Sequence, residues 1–235
     1  MACAPPPRPA PRPGARPCLA LLPFALLLLA ACAGPAHSAR GGVALPDDLQ
    51  ERLAARGATL LGQPGPFRIG PERFNGDCSG FVEAVYQAEG IPLRALLART
   101  TPNETSAAAG LYQVAKRYGV VFGGGGEWPA PGDLVFFHDT YDRNHDGRSN
   151  PFTHVGLVER VDRDGTVTFL HRGSRAVVRA AVTPSRPDVT ADRDGTLRNS
   201  PLRGKQPAQR EVPSLAGQLF AGYGRVDPRR VPGAR

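Results

Sequence analysis

FNGDCSGFVEAV, Phe74 to Val85, joins a glycine-bearing turn to an apolar run of helical spacing. Phe81, Val82, Val85, Tyr86 and Ala88 recur on one helical face, and Gly90 supplies a stop. The spacing therefore predicts a helix that begins at Cys78. A thiol at a helix start meets free N–H groups and the positive end of the macrodipole, which favour the thiolate. The same N–H groups can receive an oxyanion. Ser79 and Gly80 are small enough to let a substrate carbonyl approach.

Cysteine usage makes this thiol conspicuous. The chain has four cysteines, Cys3, Cys18, Cys32 and Cys78. Arg8, Arg12 and Arg16 precede an apolar run, LALLPFALLLLAA, from Leu19 to Ala31. That run is shorter than the roughly 20 residues a membrane-spanning helix needs. Residues 1–31 read as a cleaved signal peptide. Leu29-Ala30-Ala31-Cys32 resembles the bacterial lipobox, which implies lipidation of Cys32 and an anchor of several acyl chains. Residues 32–45 read as a flexible tether, and residues 46–235 as a single domain. Cys78 is then the only thiol of the mature domain. Exported proteins usually pair their cysteines or lack them, so it is a candidate nucleophile.

Two further segments supply what a nucleophilic cysteine requires. Pro131-Gly132-Asp133 leads into Leu134-Val135-Phe136-Phe137, a short apolar strand. Thr153 to Val161, THVGLVERV, reads as a second strand, Asp162 to Gly165 as a hairpin turn, and Thr166 to His171 as the returning strand. A turn centred near Arg163-Asp164 pairs residue 154 with residue 172 or 173. His154 and His171 therefore meet at the open end of the hairpin. One imidazole can act as base while the second polar group fixes its tautomer and orientation.

DCSGFV, PGDLVFF, THVGLV and a final Leu-His, in that order across residues 60–171, resemble the NlpC-type cell-wall cysteine peptidases. These belong to the papain-like clan, together with the CHAP amidases. The resemblance implies an α+β fold in which N-terminal helices, with the cysteine at a helix start, pack on a small antiparallel sheet. It implies a Cys78–His154–His171 triad that cuts amide bonds of peptidoglycan stem peptides, often between D-glutamate and diaminopimelate. Members of the family often carry a tyrosine upstream of the cysteine, near the oxyanion. Here that stretch is Pro66-Phe67-Arg68-Ile69-Gly70. An acyltransferase of the same clan and a non-catalytic envelope-binding lipoprotein are the competing readings.

An insertion, HDTYDRNHDGRSNPFT, occupies residues 138–153. Asp142, Asn144 and Asp146, followed by Gly147, match the first half of a calcium loop. The twelfth position is Thr153 where a bidentate glutamate is needed, so the loop reads as polar turns and no cofactor is expected. His138 and His145 read as solvated, and Trp128 as a packed loop residue. There is no HExxH or CxxC motif, which argues against a zinc enzyme.

The remaining segments frame this core. Asp47 to Leu61 and Ser106 to Tyr118 read as helices, and Leu215 to Val226 as a closing strand or short helix. Residues 183–213 read as a long, partly mobile loop, and no internal repeat is detected. Lys and Arg number 29 against 21 Asp and Glu, and residues 172–235 alone hold 13 basic and 5 acidic residues. Without interleaved aromatics this basic tail does not predict nucleic-acid binding. The expected partners are a peptidoglycan peptide and, through the lipid anchor, a membrane. Ala33 after Cys32 resembles outer-membrane sorting, on the periplasmic side of a bacterial envelope.

Overall fold

A computed structural model describes residues 47–234, apart from 105, 124, 143–145, 147 and 204–211. Residues 1–31, Cys32, the tether 32–45, Asn144 and His145 lie outside the described residues. Among those described, no helix is long and apolar enough to cross a membrane.

The chain begins with α1 (Asp47–Ala58) and a small hairpin of β1 (Phe67–Ile69) and β2 (Glu72–Phe74). Three helices follow: α2 (Cys78–Ala88), α3 (Leu93–Thr100) and α4 (Ala107–Tyr118). The main sheet is built from β3 (Gly119–Phe122), β4 (Leu134–Phe137), β5 (His154–Val161), β6 (Val167–Arg172), β7 (Val177–Val182) and β8 (Phe220–Val226). Its order is β3-β8-β4-β5-β6-β7, and all its pairings are antiparallel. The fold is α+β and papain-like, with Cys78 at the start of a helix packed on the sheet, as expected.

Both faces of the sheet are covered, which explains the uninterrupted apolar run Leu134-Val135-Phe136-Phe137. Alternate residues serve opposite layers. Leu134 and Phe136 pack with Phe81, Val85, Leu111 and Val114 of the helices, on the front. Val135 and Phe137 pack with Phe169, Val182, Ala216 and Leu219 on the back. A buried ion pair fixes the entry to β4. Arg225 donates from Nε and Nη2 to the two carboxylate oxygens of Asp133 at 2.8 and 2.7 Å. The Tyr86 hydroxyl donates to the Gly132 carbonyl at 2.7 Å, tying α2 to the same turn.

Three expectations need correction. The segment 215–226 is a short helix and a strand in succession, α5 (Ala216–Leu219) and β8. β8 does not close an edge but runs between β3 and β4. Secondly, residues 183–203 are irregular but are held throughout. Asn199 is fully buried; its Oδ1 accepts from the Thr183 N–H, and its Nδ2 donates to the carbonyls of Arg186 and Val189. Such bonds replace the ladder that a strand would supply. Thirdly, the chain does contain a short repeat. Asp-Arg-Asp-Gly-Thr occurs at 162–166 and 192–196 and folds into the same turn twice, with an Asp N–H to Thr carbonyl bond of 2.9 Å in each. Arg198 joins the two turns, reaching Asp164, Thr166 and Asp192.

Candidate active site

The first turn of α2 is a local construction. Asp77 has extended backbone and caps the helix: its Oδ1 accepts from the Gly80 N–H at 2.7 Å and from the Ser79 hydroxyl at 2.8 Å. Cys78 follows at the first helical position, half-buried at the edge of a cleft. The cap decides the roles of its neighbours. The Ser79 hydroxyl is committed to Asp77, although the residue lines the cleft. Gly80 does not line the cleft; a Cβ there would come within 2.2 Å of the Asn75 carbonyl oxygen. Gly80 is therefore glycine because the preceding turn folds back on it, and not to admit a substrate.

The imidazoles come from the sheet. His154 opens β5, pairs with Phe137 of β4, and is anchored one residue earlier by the Thr153 N–H donating to the Phe137 carbonyl. β5 and β6 pair with Leu157 opposite Leu170, beyond a bulge between Val158 and Arg160. That register draws His171 to His154: Nε2 of His154 lies 2.8 Å from Nδ1 of His171, with the rings nearly perpendicular at 85°. Nε2 of His154 is thus occupied, which leaves Nδ1 for other work. His154 and Cys78 line the same cleft, whose volume is about 500 Å³. The backbone N–H of Val155, the next residue, faces the Cys78 sulfur.

The electrostatics differ from the sequence expectation. Burial pushes the Cys78 thiol up to about 11, and the Asp77 carboxylate adds to the rise. The N–H groups of Val155, Ser79 and Cys78 act the other way and lose. A helix N-terminus alone therefore does not create a resting thiolate here, because desolvation of the charged form is the larger effect. Burial likewise lowers His154 to about 3, with His171 contributing, and lowers His171 to about 4. Phe137 and Phe169 wall the two rings. At neutral pH the site holds a neutral thiol beside neutral imidazoles. A proton leaving sulfur must pass to a ring as the new bond forms.

The insertion is clasped at its neck. The Asp139 N–H donates to the Asn150 carbonyl at 3.0 Å, and the Thr153 hydroxyl oxygen accepts from the Thr140 N–H at 2.9 Å. His138 is not solvated as expected: its Nδ1 accepts from the Phe152 N–H at 2.9 Å and its ring edges Phe152. Asp142 is half-buried, and Asp146 is exposed and accepts from the Arg148 N–H. Among the described residues no group of three or more His, Cys, Asp and Glu side chains is gathered as metal ligands are.

Several cleft residues carried no sequence signal. Ser106 caps α4 and donates to the Phe152 carbonyl at 2.8 Å, so α4 also begins at the cleft. Tyr141 enters from the insertion and Arg172 from the end of β6. The stretch 66–70, upstream of the cysteine, does not line the cleft. Phe67 is buried and packs edge-on against Phe81. Trp128 is half-exposed and stands over the Gly165 turn, away from the cleft lining.

The family model of the CHAP domain matches residues 70–173, which include Cys78, His154 and His171. No curated protein matches the chain.

Proposed function

We propose, on the premise that residues 70–173 are a CHAP domain, that this protein is a cysteine amidase or endopeptidase of peptidoglycan stem peptides. A CHAP domain marks a hydrolase of the peptidoglycan amidase and peptidase type, with peptidoglycan as substrate. The finer reading assigns Cys78 as nucleophile, His154 as general base and acid, and His171 as the group that orients His154. The observation that carries it is the 2.8 Å contact from Nε2 of His154 to Nδ1 of His171, on a ring that shares its cleft with Cys78.

The chemistry follows from these positions. Nδ1 of His154 takes the thiol proton as sulfur attacks the amide carbonyl. The Nε2–H donates to His171, which holds the tautomer that leaves Nδ1 open. The Cys78 N–H, in the first turn of α2, is available to the tetrahedral oxyanion. The imidazolium then returns its proton to the leaving amine, and water, activated by the same ring, hydrolyses the thioester. Each step uses residues of this chain, and the reading adds no cofactor. The lipobox resemblance supports an envelope location with Cys32 as the anchored residue.

Replacing Cys78 by Ser tests the assignment. Digestion of purified peptidoglycan, read as released amine and by mass spectrometry of the muropeptides, should fall by at least about 10³-fold. A variant that digests as fast as the wild type would remove Cys78 from the chemistry.

A further inference from the structure

Two charged side chains, Asp77 and Arg172, line the cleft beside the neutral imidazole of His154. Asp77 is committed to capping α2. Arg172 is different. Arg179 meets Glu159, Arg160 meets Asp162 and Arg94 meets Glu83. Arg172 instead donates Nε to the Pro64 carbonyl at 2.7 Å and Nη1 to the Gly173 carbonyl. Neither partner carries a charge, and no carboxylate pairs with it among the described residues. Its Nη2 makes none of these bonds.

The guanidinium is also held in place. Residues 62 and 63 pair with Val177 through bonds of 2.9 Å in each direction, which fixes the Pro64 carbonyl against the β6–β7 connection. Arg172 is thus a half-buried, tethered cation with a free edge, one residue beyond His171 and on the same cleft as Cys78. A planar guanidinium with donors to spare matches a carboxylate, and a pre-ordered one loses little freedom on binding it.

We infer that Arg172 is a specificity-determining residue, which binds a free carboxylate of the substrate close to the amide bond that is cut. This rests on the hydrolase reading above and names its substrate class: stem peptides whose D-glutamate carboxyl is free, in preference to those in which it is amidated. Arg172 holds the substrate and takes no part in the proton transfers. Its loss therefore falls on KM and on the acid-to-amide ratio, not on the pH profile set by His154.

The test uses two synthetic peptides, L-alanyl-γ-D-glutamyl-diaminopimelate and its D-isoglutamine counterpart. Binding is measured by calorimetry on the Cys78→Ala protein, and cleavage on the wild type. The acid should bind more tightly than the amide by roughly 10- to 100-fold, the worth of one charge-assisted hydrogen bond. Adding Arg172→Gln should bring the ratio to near one, and Arg172→Lys should leave it intermediate. Equal binding of both peptides by the Cys78→Ala protein, which keeps Arg172, would overturn the inference whatever the variants do. A binding preference with no cleavage of these peptides or of purified peptidoglycan by the wild type would uphold Arg172 and sink the hydrolase reading. Cleavage without a preference would do the reverse.

Discussion

The front and back of the sheet are covered by different means. Helices α1, α2 and α4 pack on the front, and the cleft opens at the N-terminal ends of α2 and α4. The back is covered by α5 and by residues that make almost no regular structure, the stretch 183–203. Front residues sit at the period of a helix face, so each buries apolar area without leaving a polar group unpaired. The irregular back must satisfy its backbone one bond at a time, through Asn199, Ser200 and Arg198. Side chains are spared for chemistry at the cleft, where the starts of α2, α4 and β5 meet the end of β6. The back is where polar side chains are consumed in holding the fold.

That contrast is open to attack by substitution. The largest expected effect is at the cleft. His154→Ala should lower kcat by about 10³-fold or more, with little change in Tm, because it removes the proton acceptor. His171→Ala should cost less, about 10- to 100-fold, and should move the acid limb of the pH–rate profile upward. His171 helps to hold the His154 pKa down, and its removal relieves that effect. A large loss of Tm with unchanged kcat in either variant would invert the contrast.

The back should behave in the opposite way. Asn199→Ala strands the buried Thr183 N–H and takes a donor from the carbonyls of Arg186 and Val189, the first of which keeps the Val189 N–H. An unpaired buried group costs about 1–3 kcal/mol, so stability should fall by about 2 kcal/mol. Urea unfolding measures this, and kcat of the folded fraction should be unchanged.

The pH dependence of stability sharpens the comparison: the cleft groups act on both sides of neutrality, while Asp164, lowered to about 2 by the Thr166 N–H and Arg198, and Asp192, lowered to about 2 by Arg198 and Arg186, act only below about 4. His154 and His171 stay neutral in the fold down to about 3 and about 4, against 6.5 for the free side chain. As pH falls below 6.5 the unfolded chain takes up protons that the native rings do not, so stability drops. The Cys78 thiol titrates at about 11 in the fold against 9.0 unfolded. As pH rises above 9.0 the unfolded thiol loses a proton that the native one keeps, and stability drops again. Tm should form a plateau between these limits. His154→Ala should flatten its acid side, and Asn199→Ala should lower the whole curve without changing its shape.

The smallest effect concerns the cap of α2. Asp77→Ala should cost about 1 kcal/mol of stability, as capping residues do, and Asp77→Asn only a few tenths. The Asn variant also removes the negative charge that raises the thiol pKa. Its Cys78 should therefore react faster with iodoacetamide at pH 8 than the wild type, which a simple time course reads.

Much of the cleft was legible in the chain because its signals are local. The helix beginning at Cys78, the strand Leu134–Phe137 and the hairpin carrying His154 and His171 each announce themselves within about ten residues. Even the meeting of the two histidines could be counted from the turn. The back was not legible. Nothing near Asn199 or Leu215 indicates that one will satisfy Thr183 or that the other precedes a strand bound for the middle of the sheet. Gly80 was legible as a constraint but not as to its cause, since the atom it must avoid lies in the preceding turn.

Local pattern alone determined the α+β class, the placing of the nucleophile at a helix start and the pair of imidazoles, because periodicity and turn chemistry act over a few residues. Tertiary structure decided the rest. The protonation of the thiol was settled by how deeply it is buried, and the strand order by a segment more than eighty residues beyond β4. Tyr141 came to the cleft through contacts that no spacing encodes. Burial and long-range pairing are sums over the whole chain, and a local reading has no access to them.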